Sequence, residues 1–128
     1  MRDWTAIPSF DRLDLSESFI LSWTADTGDV VFEVDFALAE GHADYRQPPL
    51  GEWACFRRGT LKFPNAHSIA GLRTMAEVRP AIDATGEADY GHFDSLIEVA
   101  SGQFEVSGDF GVLRLESDQP MVAIHSHF

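Results

Sequence analysis

Apolar and polar positions alternate with a period of two along much of this chain, which sends successive side chains to opposite faces of a strand. The pattern is plainest near the C-terminus. Phe104-Glu105-Val106-Ser107 alternates, and Gly108-Asp109-Phe110-Gly111 supplies a turn, since glycine accepts positive φ without steric cost. Val112-Leu113-Arg114-Leu115-Glu116 resumes the alternation, with Leu113 and Leu115 on one face. After the break Ser117-Asp118-Gln119-Pro120, the run Met121-Val122-Ala123-Ile124 completes a predicted three-stranded antiparallel meander.

A second hairpin lies nearer the N-terminus. Leu13-Asp14-Leu15 reads as a short edge strand before the break Ser16-Glu17-Ser18. Phe19 to Thr24 follows, with Phe19, Leu21 and Trp23 expected on one face. Asp26-Thr27-Gly28-Asp29 has turn chemistry, and the answering strand alternates Val30, Phe32, Val34, Phe36 and Leu38 against Val31, Glu33, Asp35, Ala37 and Ala39. Glu33 and Asp35 mark its water-facing side. Glu40 to Glu52 is the longest evident loop, of a length that is often functional. Trp53 to Arg58 and Thr60 to Phe63 read as two short strands around Gly59, or as one bent strand.

Two readings compete after Pro64. Ile69, Leu72 and Ala76 have helical spacing, with Ser68 as a cap and Pro80 as a stop; Ala66 to Leu72 also reads as a strand. Gly71 weakens the helix by about 1 kcal/mol relative to alanine. Asp83 to Asp89 is an acidic turn region, and Phe93 to Val99 reads as a further strand, with a helical turn through Leu96-Ile97 and Val99-Ala100 as the alternative. The expected fold is therefore mainly β. It is a single domain over residues 1–128, an antiparallel β-sandwich or open barrel with at most one short helix.

Composition agrees. A chain of 128 residues with 45% hydrophobic and 12% aromatic content has the material for one core and stands without disulfides, which the single Cys55 precludes internally. Charge changes the picture more. Nine Lys+Arg against 21 Asp+Glu give a formal charge of −12, and Arg57-Arg58 is the only dense basic pair. Nucleic acid and anionic membrane are poorly matched to such a chain, whereas solubility or a basic protein partner suits it. Nothing near Met1 resembles a signal peptide and no apolar run reaches membrane-spanning length, so a cytoplasmic protein is expected.

Candidate chemistry is sparse. Gly41-His42-Ala43-Asp44 and Gly91-His92-Phe93-Asp94 repeat the pattern Gly-His-x-Asp. In extended chain, His42 with Asp44 and His92 with Asp94 would each face one way, and two converging pairs would offer zinc or iron ligands. His125-Ser126-His127 is a further same-face pair, at a terminus where solvated ends are the commoner outcome. Asp83-x-Thr85-Gly86-Glu87-x-Asp89 is oxygen-rich like a calcium loop, but its spacing departs from the EF-hand, and self-capping turns explain it better. Cys55 lies near Arg57 and Arg58, which favour a thiolate, yet its aromatic neighbours favour plain burial. Tyr45, Trp53 and Tyr90 are candidates for lining a small-molecule cleft. No Gly-x-Ser-x-Gly elbow, phosphate loop or dinucleotide fingerprint is present.

The runs Leu15-Ser16-Glu17-Ser18-Phe19-Ile20-Leu21, Gly86-Glu87-Ala88-Asp89-Tyr90-Gly91 and Ser107-Gly108-Asp109-Phe110-Gly111 resemble small bacterial all-β proteins with no assigned activity. The resemblance implies a bacterial single-domain protein and transfers no site. The functional expectation is a non-catalytic acidic protein that recognises a basic protein partner through Asp83, Glu87 and Asp89, as immunity proteins recognise basic toxins. A metal-dependent enzyme built on His42, Asp44, His92 and Asp94 is one alternative, and a small-molecule carrier the other. No cofactor is expected beyond that metal.

Overall fold

The computed structural model describes residues 1–26 and 28–125. In chain order its strands are β1 (Arg2–Asp3), β2 (Leu13–Asp26), β3 (Asp29–Leu38), β4 (Cys55–Pro64), β5 (His67–Leu72), β6 (Ala81–Ile82), β7 (Ala88–Asp89), β8 (Phe93–Ala100), β9 (Gln103–Gly108), β10 (Gly111–Glu116) and β11 (Met121–Ile124). Among the described residues, helical structure is confined to three single 3₁₀ turns, Trp4–Ala6, Pro8–Phe10 and Met75–Glu77. All pairings are antiparallel, and among the described residues no sheet closes into a barrel. One sheet has the order β1-β8-β9-β10-β5, a second β11-β4-β3-β2, and β6-β7 form a small separate hairpin.

The two large sheets enclose one core. Val30, Phe32, Val34 and Phe36 of β3 are fully buried, as the alternation predicts, and so are Leu96, Val106 and Leu113 of the facing sheet. Edge-on aromatic pairs join the layers: Phe32 with Phe93 at 5.4 Å and Phe63 with Phe104 at 5.5 Å. Such pairs add about 0.5–1.5 kcal/mol each beyond the area they bury.

Phe110 is the unexpected member of this core. It sits in the two-residue turn between the paired Gly108 and Gly111, yet is completely buried, with its ring centroid 5.0 Å from that of Phe32. Gly108 makes this possible, because a Cβ there would lie 2.6 Å from the Phe110 ring.

Several local expectations are corrected. Leu13-Asp14-Leu15 and Phe19 to Thr24 belong to one 14-residue strand, and the expected break is an irregularity inside it. The buried Ser18 hydroxyl bridges that irregularity, donating to Asp14 O at 2.8 Å and accepting the Ala37 N–H at 2.9 Å. A second irregularity follows, because Ile20 pairs with Val34 while Ser22 pairs with Glu33, leaving Leu21 as an extra residue. Side-chain parity flips across such a bulge. Ile20 and Trp23 are therefore the buried pair, while Phe19 and Leu21 are only half-buried.

β4 is one continuous strand through Gly59. The 66–79 segment is strand rather than helix as far as Leu72, since Ser68 (φ 54°) and Gly71 (φ 84°) take conformations a helix does not allow. Thr74 and Glu77 then form a capping box on a single 3₁₀ turn.

The predicted meander is a hairpin only. β5 occupies the outer edge of β10, so β11 has no place there. The chain crosses at once: the Ser117 N–H donates to Gly102 O beside β9, and the next N–H, of Asp118, donates to Pro64 O at the end of β4. β11 pairs with β4, from Met121 opposite Lys62 to Ile124 opposite Gly59.

Candidate binding face

The loop between β3 and β4 and the small β6–β7 hairpin meet on the outward side of the β3–β4 pair. Asp35 of β3 lies directly across from Arg58 of β4, because the register pairs them. Arg58 reaches beyond the sheet and donates through Nη2 to Glu87 Oε2 at 3.1 Å, tying the hairpin down. Glu52 of the loop joins the group electrostatically. Burial pushes the half-buried Asp35 carboxyl above the usual range; Arg58 opposes this, and Glu87 and Glu52 add to it. Carboxylates from three separated segments thus share one field.

The hairpin turn is rigidly self-bonded. One Asp83 oxygen accepts the Thr85 hydroxyl at 2.7 Å, the Thr85 N–H at 2.8 Å and the Glu87 N–H at 3.0 Å. These bonds, the Thr85 hydroxyl first, hold the exposed Asp83 carboxyl below its ordinary pKa. The turn reading of this segment is what the structure contains: Asp83 organises backbone, and Ile82 is left 63% exposed beside it. Asp89 does similar work for its own neighbour, accepting the Gly91 N–H at 2.9 Å.

The β3–β4 loop contributes apolar surface to the same side. Trp53 is 63% exposed and Leu50 wholly exposed, with Glu52 between them. Trp53 is not loose: its ring meets Phe56 edge-on at 5.1 Å, Phe56 contacts Phe19 at 5.7 Å, and Phe19 contacts His92 at 4.3 Å. Tyr45 instead packs against the core, and Tyr90 lies edge-on to Trp23 at 5.0 Å. The three aromatics expected to share a cleft therefore have separate settings.

A cavity of about 570 Å³ opens under this loop, lined by Arg46, Arg57, Arg58, Asp35, Glu52 and Phe56 among others. Arg57 is pinned across it, donating through Nη1 to Asp44 O at 3.3 Å and through Nη2 to His125 O at 3.1 Å. Its Nε is buried with no hydrogen-bond partner, a state that costs about 1–3 kcal/mol. Arg46 donates to Tyr45 O at 2.7 Å. Cys55 is buried at the cavity wall, and its thiol accepts the Arg46 N–H at 3.4 Å.

The His–Asp pairs are engaged locally. His42 Nδ1 accepts the Asp44 backbone N–H at 3.0 Å, and the Asp44 carboxylate stands 3.9 Å away. His92 Nδ1 lies 2.9 Å from Ser18 O, which only accepts, so this nitrogen carries the proton. Asp94 points to solvent. Among the described residues no group of three or more His, Cys, Asp or Glu side chains is arranged to hold a metal ion. Of the terminal His125–His127 pair, His127 lies outside the described residues.

Arg46, Glu52 and the exposure of Trp53 are the features that sequence reasoning did not single out. Only the Arg57-Arg58 pair carried a visible signal. Among the described residues no helix is long and apolar enough to cross a membrane. Comparison with known protein families, with curated proteins and with solved structures finds no match to this chain.

Proposed function

We propose that this protein is a non-catalytic binding domain whose acidic face receives a basic protein partner, in the manner of an immunity protein. The observation that carries the reading is the solvent-exposed Trp53 beside Glu52, within a field that Glu52 shares with Asp35 and Glu87. Aromatic residues are enriched at interface cores, and tryptophan leads the residues whose truncation costs most binding energy. The self-bonded Asp83–Asp89 turn supports it, because carboxylates held in place beforehand lose little freedom on association. The excess of carboxylates adds steering, which raises association by about 10–1000-fold over a neutral encounter.

The test is a partner recovered at low salt and then followed kinetically. Association slows markedly at about 0.5 M salt, where the screening length is only a few ångströms, while dissociation changes less. The double variant Glu87→Gln/Asp89→Asn reproduces part of the loss in association rate. Trp53→Ala accelerates dissociation by about tenfold or more, as loss of a central anchor does. Recovery of only miscellaneous basic proteins, captured equally by the amide variant, sinks the reading.

A further inference from the structure

The cavity beneath the β3–β4 loop gathers cations that are scarce elsewhere in this acidic chain, and partner binding does not explain them. Three of the nine Lys and Arg residues line it. Carboxylates outnumber cations by 21 to 9, so ion-pair partners are abundant, and five of the arginines and lysines have one within 4 Å. Arg46 and Arg57 have none among the described residues. Their guanidinium bonds go only to carbonyl oxygens, of Tyr45, Asp44 and His125. Most of their N–H donors stay without a protein acceptor, although a guanidinium is built to bond a planar oxyanion through two parallel donors.

Two further properties define what fits. Arg58 is already paired with Glu87, so Arg46 and Arg57 are the guanidiniums open to an oxyanion, and Asp35 and Glu52 share the lining with them. A ligand with a single negative charge meets less repulsion from Asp35 and Glu52 than a dianion does. The wall that Phe56, Cys55 and Pro49 provide is apolar and suits a hydrocarbon body. At about 570 Å³ the space falls within the range of small-molecule sites, roughly 300–1,000 Å³. We propose that this cavity binds a small monocarboxylate with an apolar body, its carboxylate held by Arg46 and Arg57 and its body against Phe56.

Benzoate serves as the probe, titrated calorimetrically into the intact protein beside acetate and inorganic phosphate. Saturable one-to-one binding is expected for benzoate, tighter than for either comparator. Arg46→Gln weakens it by about tenfold or more, the weight of one charge-assisted contact. Arg79→Gln, exposed and outside the cavity, leaves it unchanged. Asp35→Asn tightens it severalfold by removing a repelling carboxylate, a gain that misfolding would not produce. Absence of saturable benzoate binding, equal effects of Arg46→Gln and Arg79→Gln, or phosphate binding as tightly as benzoate overturns the proposal. These outcomes are independent of whether a protein partner is found.

Discussion

Replacing Phe110 with alanine tests the most non-local part of the core. The side chain lies in a two-residue turn, where substitution is ordinarily cheap, so local structure alone predicts little effect. The tertiary structure predicts a large one. Phe110 is fully buried, with ring centroids of Phe32, Trp23 and Phe93 at 5.0, 6.0 and 6.0 Å. Truncation removes the transfer free energy of a benzyl group and leaves a hole among aromatic rings that are themselves held by paired strands. Phe→Ala substitutions of this kind cost about 3–5 kcal/mol. The loss of aromatic pairing, at about 0.5–1.5 kcal/mol per favourable pair, puts Phe110→Ala toward the upper end. Equilibrium unfolding in urea reports it well, because the buried Trp23 sits beside the site and its fluorescence follows the transition. The midpoint falls while the slope stays near that of the parent. Asp109→Ala, the exposed neighbour in the same turn, stays within about 0.5 kcal/mol. A loss below about 1 kcal/mol for Phe110→Ala, or equal losses at the two positions, would refute the placement of this ring.

Two more stability tests follow from the facing sheet. Leu115→Ala is expected to cost about 2–5 kcal/mol, whereas Arg114→Ala, whose pair with Glu105 is exposed, costs at most about 1 kcal/mol; equal shifts in urea midpoint would mean the β10 register is wrong. Glu98 ties β8 to the N-terminus: burial alone would raise its pKa, but bonds from the Gly102 N–H, Arg2 and Gln119 outweigh that and lower it. Its contribution is therefore complete above the unfolded value near 4.5 and disappears as pH falls through the folded one. The stability gap between parent and Glu98→Gln should be widest near neutral pH and shrink on acidification, and a gap that does not narrow would show that the carboxylate's ionisation is not what stabilises.

How much of this was legible beforehand divides along a physical line. The chain by itself determined the strands with unbroken alternation: Val30 to Leu38, Phe104 to Ser107, and Val112 to Glu116 with Leu113 and Leu115 inward. It also determined the two tight hairpins and the self-capped Asp83–Asp89 turn. Each depends on neighbours a few residues away, through the period of the pleat and the turn chemistry of glycine and aspartate. Tertiary structure decided everything that depends on which edge is free. β11 left the meander because β5 already covered β10. Ile20, rather than Phe19 and Leu21, joined Trp23 in the core because pairing with β3 inserted a bulge, which the local pattern does not encode. His42–Asp44 and His92–Asp94, alike in sequence, found different backbone partners and did not converge on a common ligand set. Asp35, Glu52, Arg58 and Glu87 became one electrostatic group only because strand register and a hairpin clasp brought four segments together. Coulombic coupling and burial depend on distance in space, and a one-dimensional pattern contains that distance only where the chain is its own nearest neighbour.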